Sequence, residues 1–93
     1  MNDITLLQMP AFKKAYKKLR QQTKKGVDDA IRAIIKNPAI GTEKKGDLAK
    51  VFVYKFKIHQ QEMLLAYEWN LKMRILLALG VHENFYRDLK KNR

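Results

Sequence analysis

Cysteine is absent from the chain, which excludes disulfides, thiolate chemistry and cysteine-held zinc, and fits a reducing cytoplasm. Acidic residues are scarce, with 9 Asp and Glu against 20 Lys and Arg, giving a formal net charge of +11. Such an excess attracts polyanions at long range, so the expected partner is nucleic acid, the ribosome or an acidic protein. A lysine-coated surface that only confers solubility is the plain alternative. Long apolar runs are also missing. Ile4 to Leu7 is short, charges interrupt every later run, and Met1-Asn2-Asp3 carries no basic leader, so neither a membrane span nor a signal peptide is expected.

What is present suffices for one domain over residues 1–93, since 46% hydrophobic composition at this length fills one core and not two. Ile4 to Met9 reads as a first strand, closed by Pro10, which suits the first turn of a helix. Phe12, Ala15, Tyr16 and Leu19 then form one stripe of a basic amphipathic helix over Pro10 to Gln22. Gly26 breaks that pattern, and Val27, Ala30, Ile31 and Ile34 define a second helix, with Asp28 and Asp29 in its first turn and Asn37-Pro38 as its stop. Ala39 to Lys50 reads as a solvated loop.

Val51 to Ile58 alternates, so that Phe52, Tyr54, Phe56 and Ile58 share a buried face while Val51, Val53, Lys55 and Lys57 form a basic one. Turns at Gln60-Gln61 and Asn70-Leu71-Lys72 separate two further strands, Met63 to Trp69 and Met73 to Gly80. Their nearly continuous apolar runs call for cover on both sheet faces. Asn84 to Lys91 reads as a short terminal helix or a tail. The expected fold is α+β, in the order β-α-α-β-β-β with a short C-terminal helix, its antiparallel sheet covered by a helical hairpin.

Both histidines fall at one rim of that meander. His59 and Glu62 flank the turn after the second strand, His82 and Tyr86 follow the last, and Lys55 and Lys57 approach the same end. RNA cleavage needs a base for the 2′-hydroxyl, an acid for the leaving oxygen and cations for the developing phosphorane charge. Glu62 or His59 is the candidate base, His82 the acid, Lys55 and Lys57 the stabilising cations, and Tyr86 a stacking surface or proton donor. This chemistry requires no metal or cofactor. Each residue has a plain alternative: His59 as a solvated turn residue, His82 as a cap, Tyr86 packed with Phe85, Glu62 paired with a strand lysine, and Lys55 and Lys57 as a solvated edge that discourages aggregation. Trp69, Tyr54 and Phe56, at regular strand spacing, read as packing residues.

Phe12-Lys13-Lys14 with Leu19, Ile35-Lys36-Asn37-Pro38, Gly46-Asp47-Leu48 and the strand running into Gly80-Val81-His82 together make the chain resemble the RelE/ParE superfamily of bacterial type II toxins. The segment His59 to Tyr67 with Val81 to Tyr86 looks most like the YafQ-like ribosome-dependent mRNA endonucleases, whose pattern His59, Glu62, His82 and Tyr86 fill. Two positions depart from RelE-type nucleases: Leu64 stands where many carry an arginine, and the loop histidine falls near Thr42. The resemblance implies a ribosome and mRNA as targets, Lys13, Lys14, Lys17, Lys18, Lys44 and Lys45 as the ribosomal RNA grip, and a cognate acidic antitoxin. The ParE branch shares the scaffold without the nuclease residues and poisons DNA gyrase, which is the alternative activity. A basic RNA-binding module without toxicity is a third.

Overall fold

A computed structural model of the chain describes residues 3–44, 46, 50–81 and 85. The elements run β1 (Thr5–Gln8), α1 (Pro10–Lys17), α2 (Gln21–Lys36), a 3-10 turn (Pro38–Ile40), β2 (Thr42–Glu43), β3 (Phe52–Ile58), β4 (Gln61–Asn70) and β5 (Met73–Val81). They build one five-stranded sheet in the order β1-β5-β4-β3-β2. The three successive strands β3, β4 and β5 are antiparallel as expected, but β1 joins β5 in parallel, from Thr5↔Met73 to Gln8↔Leu76, so the sheet is mixed. The expected solvated loop contains the 3-10 turn and β2, which pairs Thr42 with Val53 and Glu43 with Phe52. The expected C-terminal helix lies outside the described residues except for Phe85, which is buried.

Both faces of the central strands are covered, as their apolar runs require. On one face Phe12, Val27, Ala30 and Ile34 from the helices meet Met63, Leu65, Tyr67, Leu76 and Leu79. On the other, Val51, Val53, Leu64, Ala66 and Phe85 form a smaller cluster with Leu77 and Ala78 beside it. Val51 and Val53 therefore do not belong to a basic face; only the Lys55–Lys57 end of that surface is charged and exposed. A register shift leaves Leu77 without a partner between the pairs Ala66↔Ala78 and Tyr67↔Leu76. A bulge of this kind lets neighbouring residues face the same side, which is how Leu77 and Ala78 both reach the smaller cluster.

Gly26 does not break the helical hairpin but lies inside α2. A Cβ there would sit 2.7 Å from both Cγ1 and Cδ1 of Ile58, so the glycine makes room for the Ile58 side chain of β3 against α2. Its cost in helix propensity, about 1 kcal/mol relative to alanine, is offset by that packing. Gly26→Ala is expected to lower the melting temperature despite the better propensity, and Ile58→Ala in the same chain should recover part of the loss. Additive effects of the two changes would sink this account. Asp28 and Asp29 accordingly sit within α2 and not in its first turn. Asp28 accepts a 2.8 Å hydrogen bond from the Tyr16 hydroxyl, tying α1 to α2, and Asp29 pairs with exposed Arg32 at 2.9 Å.

Two polar side chains fasten the helices and the 3-10 turn to the sheet. The Tyr67 hydroxyl donates to the Pro38 carbonyl at 2.6 Å and accepts from the Gly41 N–H at 3.0 Å. Gly41 has no room for a side chain, since a Cβ would lie 2.7 Å from that hydroxyl. Burial raises the Tyr67 phenol above its ordinary value of 10.0, against opposing contributions from the Gly41 hydrogen bond and from Arg74. The fold thus holds the neutral phenol more tightly than the unfolded chain does. Its stabilisation is complete below pH 10 and is lost as pH rises towards the raised folded value. Tyr67→Phe should cost about 1–2 kcal/mol at neutral pH. The gap between the two proteins should narrow above pH 10 in urea titrations, and a gap independent of pH would contradict the assignment.

The second fastening is Arg74, only 3% exposed within β5. Its guanidinium donates to the Ile34 and Ile35 carbonyls in the last turn of α2, both at 3.0 Å, and to the carbonyls of Asn70 at 2.6 Å and Met73 at 3.1 Å. It also lies 5.8 Å from the centre of the Trp69 ring. A cation at a helix C-terminus complements the helix dipole and its unpaired carbonyls. Burial lowers the Arg74 pKa, while the neighbouring Tyr67 opposes that shift.

Candidate functional site

The rim of the meander is built by a tight hairpin. Ile58 pairs with Gln61, so the turn residues are His59 and Gln60, one position earlier than the sequence pattern suggests. Both take left-handed backbone angles, φ 49° and 71°. A two-residue turn of this hand matches the twist of its strands and usually recruits glycine or asparagine. Neither is present here, and non-glycine residues in this region are strained.

The hairpin register fixes which side chains meet. Lys57 lies opposite Glu62, and Lys55 lies opposite Leu64, so these four share a sheet face by strand alternation. Lys55, Lys57, His59 and Glu62 are all exposed, and no ion pair ties them down among the described residues. The geometry therefore brings two cations and one carboxylate onto one surface, with His59 in the turn that joins their strands.

β5 ends at the same rim, as Val81 pairs with Met63, the neighbour of Glu62. Phe85 belongs to the cluster under that face, and a Cβ on Gly80 would lie 3.4 Å from its ring. His82 and Tyr86, on either side of this segment, lie outside the described residues. Leu64, where many RelE-type nucleases carry an arginine, is fully buried in the Phe85 cluster, so an arginine there would have no open path to a substrate without displacing this packing.

The basic residues assigned to a ribosomal grip fall in separate places. Lys13, Lys14 and Lys17 stand exposed on α1, and Lys18 follows as its C-cap. Lys44 donates its backbone N–H to the Val51 carbonyl at 2.8 Å. That puts it at the far end of β3, roughly 20 Å from Lys57 at the usual rise of a strand. Lys45 lies outside the described residues. Among the described residues no cluster of His, Asp and Glu could hold a metal, and no helix is long and apolar enough to cross a membrane. A shallow cleft lined by Leu6, Gln8, Phe12, Tyr16, Asp28 and Ile31 lies between β1 and the helices, away from the rim.

Arg74 is the residue that the sequence pattern hid. One charge inside an otherwise apolar strand, on the inward side of the alternation, was the available signal.

Solved structures with the same fold include a RelBE toxin–antitoxin complex from Mycobacterium tuberculosis, at TM-score 0.72 and 15% identity, covering 86% of this chain and 99% of that one. A mutant of Escherichia coli RelE in the free state matches at TM-score 0.70 and 13% identity, covering 97% of this chain and 93% of that one. A YoeB/ParE toxin from Agrobacterium tumefaciens matches at TM-score 0.65 and 14% identity, covering 86% of this chain and all of that one, 100%. No curated protein matches the sequence. The family model described as ParE-like toxin of type II bacterial toxin-antitoxin system matches residues 6–90. With nearly the whole sequence inside that match, the chain belongs to the ParE-like toxin family of type II bacterial toxin–antitoxin systems.

Proposed function

We propose that this toxin is a ribosome-dependent mRNA endonuclease that inhibits translation. The observation that carries the reading is the exposed set Lys55, Lys57 and Glu62 on one sheet face, beside the strained turn at His59. In this scheme Glu62 or His59 takes the 2′-hydroxyl proton, the resulting oxygen attacks the adjacent phosphorus, and His82 protonates the departing 5′-oxygen. Lys55 and Lys57 stabilise the negative charge of the phosphorane, and Tyr86 stacks on a base. The α1 lysines supply sequence-independent contacts to ribosomal RNA phosphates. A cognate acidic antitoxin completes the system, in keeping with the toxin–antitoxin complexes among the similar structures and with the +11 charge.

One observation favours a second reading, a ParE-like protein that blocks DNA gyrase without catalysis: the matching family is described as ParE-like. Primer extension on programmed ribosomes, run beside a gyrase supercoiling assay with the same preparation, separates them. Cleavage of ribosome-bound mRNA with gyrase unaffected is the expected result. Intact mRNA with inhibited gyrase would replace the nuclease reading with the other.

A further inference from the structure

The tip of the β4–β5 hairpin carries a leucine that the fold does not use. Asn70 pairs with Met73, so Leu71 and Lys72 form the turn. Turns recruit glycine, proline or short polar residues, and leucine brings none of what they need. Leu71 is nonetheless 88% exposed, whereas no other large apolar side chain among the described residues exceeds 45%. The tip is held from three sides. The Asn70 side chain accepts the Lys72 N–H at 2.8 Å, the Arg74 guanidinium binds the Asn70 and Met73 carbonyls, and the Lys72 carbonyl accepts the Thr5 N–H at 2.8 Å.

A matching recess lies on the same molecule. The cleft between β1 and the helices measures about 270 Å³, enough for a leucine and the alkyl stem of the lysine beside it. Leu6, Phe12 and Ile31 give it apolar walls, while Tyr16, Asp28 and Arg32 line it with polar groups. Asp28 keeps an unused acceptor: Oδ1 takes the Tyr16 hydroxyl, and Oδ2 has no hydrogen-bond partner among the described residues. Arg32 is already paired with Asp29. The cleft thus offers apolar walls and a carboxylate oxygen in a chain of net charge +11.

We propose that the hairpin tip of one copy seats in this cleft of a second copy, Leu71 between Leu6, Phe12 and Ile31, and Lys72 on Asp28. Tip and cleft adjoin, because β1 begins beside Lys72 and its Leu6 forms part of the cleft wall. Neighbouring knob and recess let two copies exchange tips about a two-fold axis, which closes the assembly at a dimer. Charge selects the occupant: Lys72 complements Asp28, whereas an acidic segment of another protein sets carboxylate against carboxylate. Side chains make the contact, and no open strand edge takes part. The rim at His59 lies at the other end of β4, roughly 30 Å away at the usual strand rise, so both rims of the dimer stay open. This association goes beyond the nuclease reading and does not depend on it.

Sedimentation velocity of the free full chain tests this at about 0.15 M salt, where repulsion between the basic copies is screened beyond about 8 Å. Monomer should pass to dimer as concentration rises, with nothing larger. Leu71→Asp should raise the dimer dissociation constant about a hundredfold or more, because symmetry removes the buried leucine twice, at about tenfold each. At concentrations where both proteins are monomers, its melting curve should match wild type, since the side chain is exposed there. Asp28→Asn keeps an acceptor for Tyr16 but removes the charge, and should weaken the dimer only severalfold, as a partly exposed ion pair contributes little. Nitrogen-15 spectra locate the contact: raising the concentration should shift the Leu6 and Ile31 amides in wild type and leave them unmoved in Leu71→Asp. A monomer at millimolar concentration, a dimer indifferent to Leu71→Asp or strengthened by Asp28→Asn, growth into longer assemblies, or shifts confined to the rim would each overturn the proposal.

Discussion

Replacing Arg74 with methionine should lower the unfolding free energy by about 3–5 kcal/mol, against a total of about 5–15 kcal/mol for a domain of this kind. The change keeps an unbranched apolar stem of similar reach, so lost volume contributes little. What disappears is the donor set for four carbonyls, two of them the end of α2 and two in the β4–β5 hairpin. The Ile34 bond is buried and the other three are partly buried, and acceptors left there without donors forfeit hydration as well as the bond, which makes the effect large. Arg74→Lys should fall between wild type and methionine, because an ammonium keeps the charge at the helix end but lacks the planar fork that spans neighbouring carbonyls. Urea denaturation followed by circular dichroism measures the series. A methionine variant within 1 kcal/mol of wild type, to use about the scale of a single net hydrogen bond, would show that water replaces the guanidinium freely.

Glu62→Gln and His82→Ala should each reduce cleavage of ribosome-bound mRNA by about 100-fold or more, the scale of a positioned acid or base. Glu62 is exposed and opposite Lys57, so its amide variant should leave stability within about 0.5 kcal/mol of wild type. Loss of cleavage with an unchanged melting curve would then be a chemical effect and not a folding one. Ribosome binding should survive both substitutions. Tyr86→Ala should impair positioning more than Tyr86→Phe if stacking is its role. Wild-type rates in both variants would remove these residues from the mechanism, and equal gyrase inhibition by wild type and His82→Ala would transfer the toxicity to the second reading.

Much of the architecture was legible in the residues because period-two and helical patterns report burial directly. The run Leu64 to Tyr67 announced a strand covered on both sides, and all four residues are fully buried. Misreadings arose where a partner distant in sequence decides the local structure. Gly26 reads as a helix breaker by propensity, and only its crossing with Ile58 explains its place inside α2. β2 is two residues long and exists through its pairing with β3, which no local pattern announces. The rim was legible as a neighbourhood but not in register. A turn at Gln60-Gln61 sets His59 opposite Glu62, whereas the observed turn one residue earlier sets Lys57 there. Without glycine or asparagine a His-Gln pair signals left-handed backbone only weakly, since histidine alone of the two is enriched there, so that shift stayed hidden until the hairpin closed.

The parallel union of β1 with β5 governs when this toxin becomes complete. β5 separates β1 from the rest of the sheet, so residues 5–8 have no strand to join until residues 73–76 exist. The first strand synthesised is therefore among the last to dock, a late closure of high sequence separation that slows folding. During translation the helical hairpin must wait with its apolar stripe uncovered while the meander is made, and the domain can close only after β5 has cleared the exit tunnel. For a toxin, this order of assembly delays the finished fold until nearly the whole sheet has been synthesised.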